Sequence, residues 1–386
     1  MPVAIKDALA VRYRTVRAAL DAAGLDALVV THLPNIFYLT GFGGTAAVLV
    51  LTRTRALLLT DFRYMTVVAD LLAGDGAWPG GELVRVEGAY DEALASVVKE
   101  LGLRRVGFEG SHVSVNRHRW LTARLHDGPE LVSTDGIVEQ VRLCKDETEV
   151  KILRTAAHLL SDVARDVLRL VQAGPSEHEF AAVIDYKLKS AGFTRPAFDT
   201  IVAAGANAAL PHARPGARRL QPGDLVLLDF GGVYDGYCVD LTRTVCLGPP
   251  DGEMHRVFDA VAQAQRAALA AVKPGVTPAS IDAAARDVLR ERGLGDAFGH
   301  GTGHGLGVEV HEAPHVAPDR RLTASSEPDD EAPIAATDRI EAGMVFTIEP
   351  GAYVPGWGGV RLEDDVLVTA GGCEVLTDVP RELAVG

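Results

Sequence analysis

The amino-acid sequence predicts a two-domain chain of mixed α/β (α+β) class, the second domain assembled from two copies of one structural unit. Three observations predict it. The length of 386 residues exceeds what one compact core usually organises. Before about residue 143, short apolar runs alternate with helical patterns. After it, a Gly–helix–Gly segment and an acid-bearing strand each occur twice. The expected domains are therefore 1–143 and 144–386.

Taken in order, the segment up to Leu25 places Ala10, Tyr13, Val16 and Leu20 at helical spacing among charges, which predicts an amphipathic helix rather than a signal peptide. Strands are expected at Ala27 to Val30, Ala46 to Leu51, Ala56 to Thr60, Leu83 to Val86 and Val106 to Glu109. At Leu143 to Glu147 the pattern breaks. Asp146 there can N-cap a long amphipathic helix reaching about Val171, with Glu149 completing a capping box.

The repeat follows. Gly174-Pro175-Ser176 and a helix ending at Gly192 recur as Gly275-Val276-Thr277 and a helix ending at Gly293. The strand ending in Asp229 matches the strand ending in Glu349, and each precedes a Gly-rich turn and a second strand, bearing Asp240 and Glu363 respectively. Two β-hairpins, each with a pair of acids, are the expected result.

Composition narrows the function. Lys+Arg 38 against Asp+Glu 52 leaves a net charge of −14, which argues against nucleic-acid or anionic-membrane partners, because phosphate binding draws on Lys and Arg. No segment approaches the roughly 20 apolar residues that span a bilayer. Cys144, Cys238, Cys246 and Cys373 are widely spaced and form no C-x-x-C pair, so they read as reduced thiols in a cytoplasmic protein.

Acids at the ends of apolar strands are costly unless a cation offsets their charge. Two divalent ions would balance four carboxylates, and a metal pair is a common hydrolytic device. A histidine is available from His300-Gly301-Thr302-Gly303-His304-Gly305, which lies between the two hairpins and is no helical H-E-x-x-H zinc site.

The order Asp229, Asp240, His304, Glu349, Glu363, within LLDFGGVYDGYCVDLTRT, HGTGHGLGVEVHE, GMVFTIEPGAY and GGVRLEDD, resembles the Xaa-Pro peptidases, aminopeptidase P and prolidase, of the pita-bread metallopeptidase family. The N-terminal part is similar through NIFYLTGF and DFRY. The resemblance implies a creatinase-like α/β domain followed by a pseudo-two-fold pita-bread catalytic domain. It implies that Asp229 and Asp240 hold one ion, that His304 and Glu349 hold the other, and that Asp240 and Glu363 bridge. Mn²⁺ suits so oxygen-rich a set, and Co²⁺, Fe²⁺ or Zn²⁺ can take its place.

It further implies that Glu349 is the general base, that His212 and His311 stabilise the substrate carbonyl and tetrahedral intermediate, and that His300 lies against the proline. Arg361, two residues before Glu363, reads as an ion-pair partner that orients a ligand carboxylate. Tyr353 resembles a tyrosine near the metals and reads equally well as a core aromatic. The implied substrates are small proline-containing peptides and the implied assembly is a homodimer. His304 is expected to set the acid limit of metal binding.

Xaa-Pro aminopeptidase is the main functional reading and Xaa-Pro dipeptidase the alternative. A metal-free creatinase-like hydrolase would replace ligands that are all present here, and a methionine aminopeptidase would lack the first domain. A non-catalytic peptide-binding module would not need all five. The polar, Pro-containing stretch around 317–340 is expected to be a surface insertion.

Overall fold

The computed structural model describes residues 2–319 and 337–385. Most of the stretch around 317–340 thus lies outside the described residues. The chain divides into two compact units at Arg142/Leu143.

In the first unit, helix Pro2–Ala22 precedes a six-stranded sheet: β1 Ala27–Val30, β2 Val48–Thr52, β3 Ala56–Asp61, β4 Gly81–Val86, β5 Arg105–Glu109 and β6 Glu130–Thr134, in the order β4-β3-β2-β1-β5-β6. β1 pairs parallel with β5 and β5 parallel with β6, while β1 and β2 are antiparallel. The second strand starts later than Ala46 because the Ala46 carbonyl is taken by Thr60 Oγ1 and Tyr90 Oη instead of a strand neighbour. β6 was not expected from the sequence. Its residues are mostly half-exposed at the sheet edge, so it carries no apolar run to betray it.

The second unit opens with helix Glu147–Leu170, capped by Asp146 with Glu149 in the predicted capping box. Helices Glu177–Ser190 and Pro278–Glu291 are both 14 residues long, as the repeat requires. Short strands β7 Arg195–Pro196 and β8 Ile201–Ala204 pair with β9 Leu225–Tyr234, which forms a long antiparallel hairpin with β10 Tyr237–Leu247.

The other strands are β11 Gly303–Gly305, β12 Glu312–Val316, β13 Val345–Ile348, β14 Gly351–Val354, β15 Gly358–Arg361, β16 Asp364–Thr369, β17 Gly372–Val375 and β18 Ala384–Val385. β12-β11-β13-β16-β17 form one sheet, β14-β15 a separate ribbon, and β18 lies beside β10. Helix Gly252–Ala271 packs Val257, Val261 and Ala264 into a core with Phe346, Ile348, Val360 and Val366. Buried strands on this scale supply the apolar area, worth about 25 cal/mol per Å², that offsets the cost of burying acids among them.

Among the described residues no helix is long and apolar enough to cross a membrane.

Candidate metal centre

In the hairpin β9–β10, Asp229 stands opposite Thr242 and Gly231 opposite Asp240. Cross-strand partners share a face and strand residues alternate with period two, so Asp229, Asp240 and Thr242 all project to the same side. The second hairpin is interrupted at its acids. Ile348 pairs with Asp364 and Gly351 with Arg361, and this common register places Glu349 opposite Glu363 in the gap between the two ladders. There the Glu349 N–H donates to Thr302 O (2.8 Å) and the Glu363 N–H to Thr242 O (3.1 Å).

His304 is the central residue of β11, which lies between β12 and β13. A Cβ on Gly303 would fall 1.9 Å from Thr347 O, and one on Gly305 would fall 2.1 Å from Ala313 O. Only glycine at both positions lets the His304 strand approach this closely.

One ligating atom each from Asp240, His304 and Glu363 lie within 4.8 Å of one another. His304 Nδ1 is bonded to Gly305 O (3.1 Å), and its Nε2 lies 3.4 Å from Glu349 Oε1. Arg361 joins the fourth acid: its Nη2 donates to Asp229 Oδ2, and its Nε lies 4.0 Å from Glu349 Oε2. Asp240 and Glu363 are only 4% and 2% exposed.

Burial, then the charges of Asp229, Asp365 and Glu349, push the Asp240 carboxyl well above the usual carboxylate range. Burial, then Asp240, Glu349 and Asp229, do the same to Glu363. Burial also lowers His304 to about 4, so its ring is neutral at physiological pH. Carboxylates crowded until they resist ionisation, beside an imidazole held neutral with one nitrogen aimed at them, form a donor set that fits divalent cations. Asp229, Asp240, His304, Glu349 and Glu363 are the residues that could hold them.

The other predicted residues lie around this cluster. His311 is exposed and its ring meets His304 edge to face, centroids 4.3 Å apart. His300 Nε2 is 2.9 Å from Tyr353 Oη, and burial lowers its pKa. His212 is exposed, in the turn following Pro211, whose carbonyl accepts from Arg361 Nη1 at 3.1 Å. Tyr353 is buried and accepts from Arg361 Nη1 at 2.8 Å, so its hydroxyl links the arginine to His300.

Sequence reasoning missed the residues that hold the acids in place. Thr242 Oγ1 donates to Glu363 Oε2 (2.6 Å) and accepts from Arg361 Nε (3.1 Å); its signal was its position two residues after Asp240 on the same face. Asp365 Oδ2 accepts from the Asp240 N–H (3.0 Å). Arg243, fully buried, donates to Asp364 Oδ1 (2.7 Å) and to the carbonyls of Thr242 (2.9 Å) and Glu363 (2.5 Å). Asp282 accepts from the Thr302 hydroxyl (2.9 Å), and Arg286 donates to His300 O (2.8 Å), anchoring the histidine segment to helix Pro278–Glu291.

The chain is similar to known proteins over nearly its whole length. The signature of metallopeptidase family M24 matches residues 151–370, and that of the creatinase/prolidase N-terminal domain matches residues 12–144. An Xaa-Pro dipeptidase from Bacillus anthracis superposes with a TM-score of 0.88 at 36% identity, covering 98% of this chain and 100% of that one. An X-Pro aminopeptidase from Thermotoga maritima gives 0.81 at 32% identity over 94% and 98% of the two chains. An Xaa-Pro dipeptidase of Pyrococcus horikoshii is 31% identical over 366 residues, 94% of this chain and 96% of the relative. The chain belongs to metallopeptidase family M24 and is a peptidase that works with divalent metal ions.

Proposed function

We propose that this metallopeptidase cleaves the bond between an N-terminal residue and a following proline, using two ions held by Asp229, Asp240, His304, Glu349 and Glu363. The buried convergence of Asp240, His304 and Glu363 carries the reading. Similarity to proteins named Xaa-Pro dipeptidase and X-Pro aminopeptidase supports the proline preference. Asp229, Asp240, His304, Glu349 and Glu363 would together hold the two ions, with Asp240 and Glu363 placed among the other donors. Four carboxylates against one imidazole favour Mn²⁺.

When bound, the ions polarise the scissile carbonyl and make a water nucleophilic near neutral pH. Glu349, whose Oε1 accepts from Thr347 Oγ1 (3.3 Å), takes a proton from the attacking water and passes it to the leaving proline nitrogen. His212 and His311, on exposed segments beside the cluster, donate to the oxygen on which charge develops. His300, held by Tyr353, lies against the proline ring. Arg361 donates to Asp229 and orients it.

The aminopeptidase reading rests on cations. A strict dipeptidase must bind a free proline carboxylate, and burying that charge needs a dedicated donor. In the second unit Arg361 is committed to Asp229 and Tyr353, Arg286 to Asp282, and Lys145 to Glu312. The dipeptidase reading is favoured by the names of the Bacillus anthracis and Pyrococcus horikoshii proteins.

The test is kcat/KM for Ala-Pro, Ala-Pro-Ala and Ala-Pro-amide, with metal content measured on the same preparation. Cleavage of the tripeptide and the amide is expected. Cleavage of Ala-Pro alone would make the enzyme a dipeptidase. Failure on all three with two metals bound would overturn the proline reading.

A further inference from the structure

A second group of metal-ligating side chains lies in the first unit and shares no residue with the M24 ligands. His32 follows β1, His112 follows β5, and Glu139 follows β6 on the short helix Ile137–Arg142. These three strands are adjacent and parallel, so all three side chains gather beyond the carboxyl ends of their strands. From β1 the chain builds β2, β3 and β4 on one side of the sheet and then β5 and β6 on the other. The group therefore sits where the strand order reverses, the usual place for ligands on open α/β sheets.

One ligating atom from each of the three lies within 4.8 Å of the others. His32 Nδ1 is 4.0 Å and His112 Nε2 is 3.9 Å from the same oxygen, Glu139 Oε1. Both distances are within twice a zinc–ligand bond of about 2.0–2.1 Å, so an ion fits between each imidazole and the carboxylate with small shifts.

The surroundings are built to hold the group. Asn35 Nδ2 donates to Glu139 Oε1 (2.6 Å) and to Glu109 Oε1 (2.7 Å), and Arg142 Nη1 donates to Asn35 Oδ1 (2.7 Å). Glu109 Oε2 accepts the backbone N–H of His32 (2.8 Å), and Glu109 O accepts that of His112 (3.1 Å). Each ligating residue thus has its backbone or carboxylate fixed by a neighbour, as outer partners fix metal ligands elsewhere. The side chains are 16%, 22% and 13% exposed for His32, His112 and Glu139, which leaves a path for an ion to enter.

We propose that His32, His112 and Glu139 bind one divalent ion of borderline softness, of the Zn²⁺ class, with a water completing four-coordination. Two imidazoles and one carboxylate favour Zn²⁺ over the Mn²⁺ expected at the acid-rich centre. The two rings are stacked at 3.6 Å and 7°. Since parallel planes cannot both contain one ion, ligation turns at least one ring out of the stack.

The full-length chain is dialysed against excess Zn²⁺ and its metal counted by mass spectrometry, beside Glu139→Gln and the double variant His32→Asn/His112→Asn. The unaltered chain should hold one Zn²⁺ more than either variant. Glu139→Gln keeps the acceptor for Asn35 and should weaken zinc by more than the roughly 10–100-fold that outer partners cost. Equal zinc content in all three proteins overturns the site. A second measurement is independent of how the variants fold: in the unaltered chain, Zn²⁺ should shift the imidazole NMR resonances of His32 and His112. Resonances that stay in place through the titration overturn the proposal.

Discussion

The two copies of the acid-bearing hairpin have the same layout and treat their acids differently. In β9–β10 the ladder runs unbroken from Leu225–Cys246 to Tyr234–Tyr237, with both acids inside it. In the second copy the ladder stops at Ile348–Asp364, resumes at Gly351–Arg361, and leaves Glu349 and Glu363 in the gap. Pro350 lies in that gap and has no N–H to contribute. The Glu349 and Glu363 N–H groups bond outward to Thr302 and Thr242, and so tie this copy to the histidine segment and to the intact copy. One hairpin is a rigid platform. The other is held across its gap by the single bond from the Leu362 N–H to Pro350 O (3.4 Å) and by its links to the neighbouring strands.

The largest expected effect tests whether the platform holds the ions. Asp240→Asn removes one charge from a buried position between several other acids, and turnover should be abolished with the fold retained. Metal analysis beside circular dichroism checks it. Full metal content with near-normal turnover would remove the two-ion assignment.

The next prediction concerns acid. Asp240 and Glu363 are pushed upward by burial and then by the charges of neighbouring acids, Asp229 and Glu349 among them, so they take up protons at a higher pH than ordinary carboxylates. An ion must displace those protons, so its apparent affinity falls as the pH drops. His304 was expected to set this limit. Burial lowers it to about 4, so it stays neutral over the range in which the acids already compete. Activity should fall on acidification, and raising Mn²⁺ should move the acid limb to lower pH. A limb indifferent to Mn²⁺ would assign it to a group outside the cluster.

A smaller effect probes the link between the copies. Thr242→Val keeps the shape and loses the hydroxyl that bonds Glu363 and receives Arg361. Metal affinity or activity should fall by roughly 10–100-fold, as for other residues that orient ligands. No change in either would mean that the gap is held by backbone alone.

Tyr353→Phe should do least. It removes hydrogen bonds to His300 and Arg361 on the ribbon that follows the gap. Arg361 keeps its bonds to Thr242, Pro211 O and Asp229, so the main loss is the neutral bond to His300, about 0.5–1.5 kcal/mol, and a fall of roughly tenfold in kcat/KM is expected, with metal content unchanged. Lost metal would place the tyrosine among the groups that hold the centre.

The elements themselves were largely legible in the sequence, because short apolar runs, a capping box and repeated Gly–helix–Gly segments are local signals. Asp229, Asp240, Glu349 and Glu363 stood out as candidates because acids on apolar strands conflict with burial, and His304 through its glycine-flanked segment between the hairpins and the resemblance to Xaa-Pro peptidases. Edge strand β6 was hidden because half-exposed residues need no apolar pattern. Arg243, Thr242 and Asp365 were hidden because their partners lie more than a hundred residues away, as with Arg243 and Asp364.

The sequence by itself determined that two similar units would each present two acids, with a glycine-flanked histidine between them, since repeat, strand period and charge are all written along the chain. Only the tertiary structure decided that the ladder of the second hairpin is interrupted at Glu349 and Glu363, that Thr302 and Thr242 accept their N–H groups, and that Arg361 reaches Asp229. Only it brought His32, His112 and Glu139 together, from the ends of three strands whose adjacency depends on sheet order. The physical reason is common to both. A local pattern shows which groups must find partners, and long-range packing selects the partner each one finds.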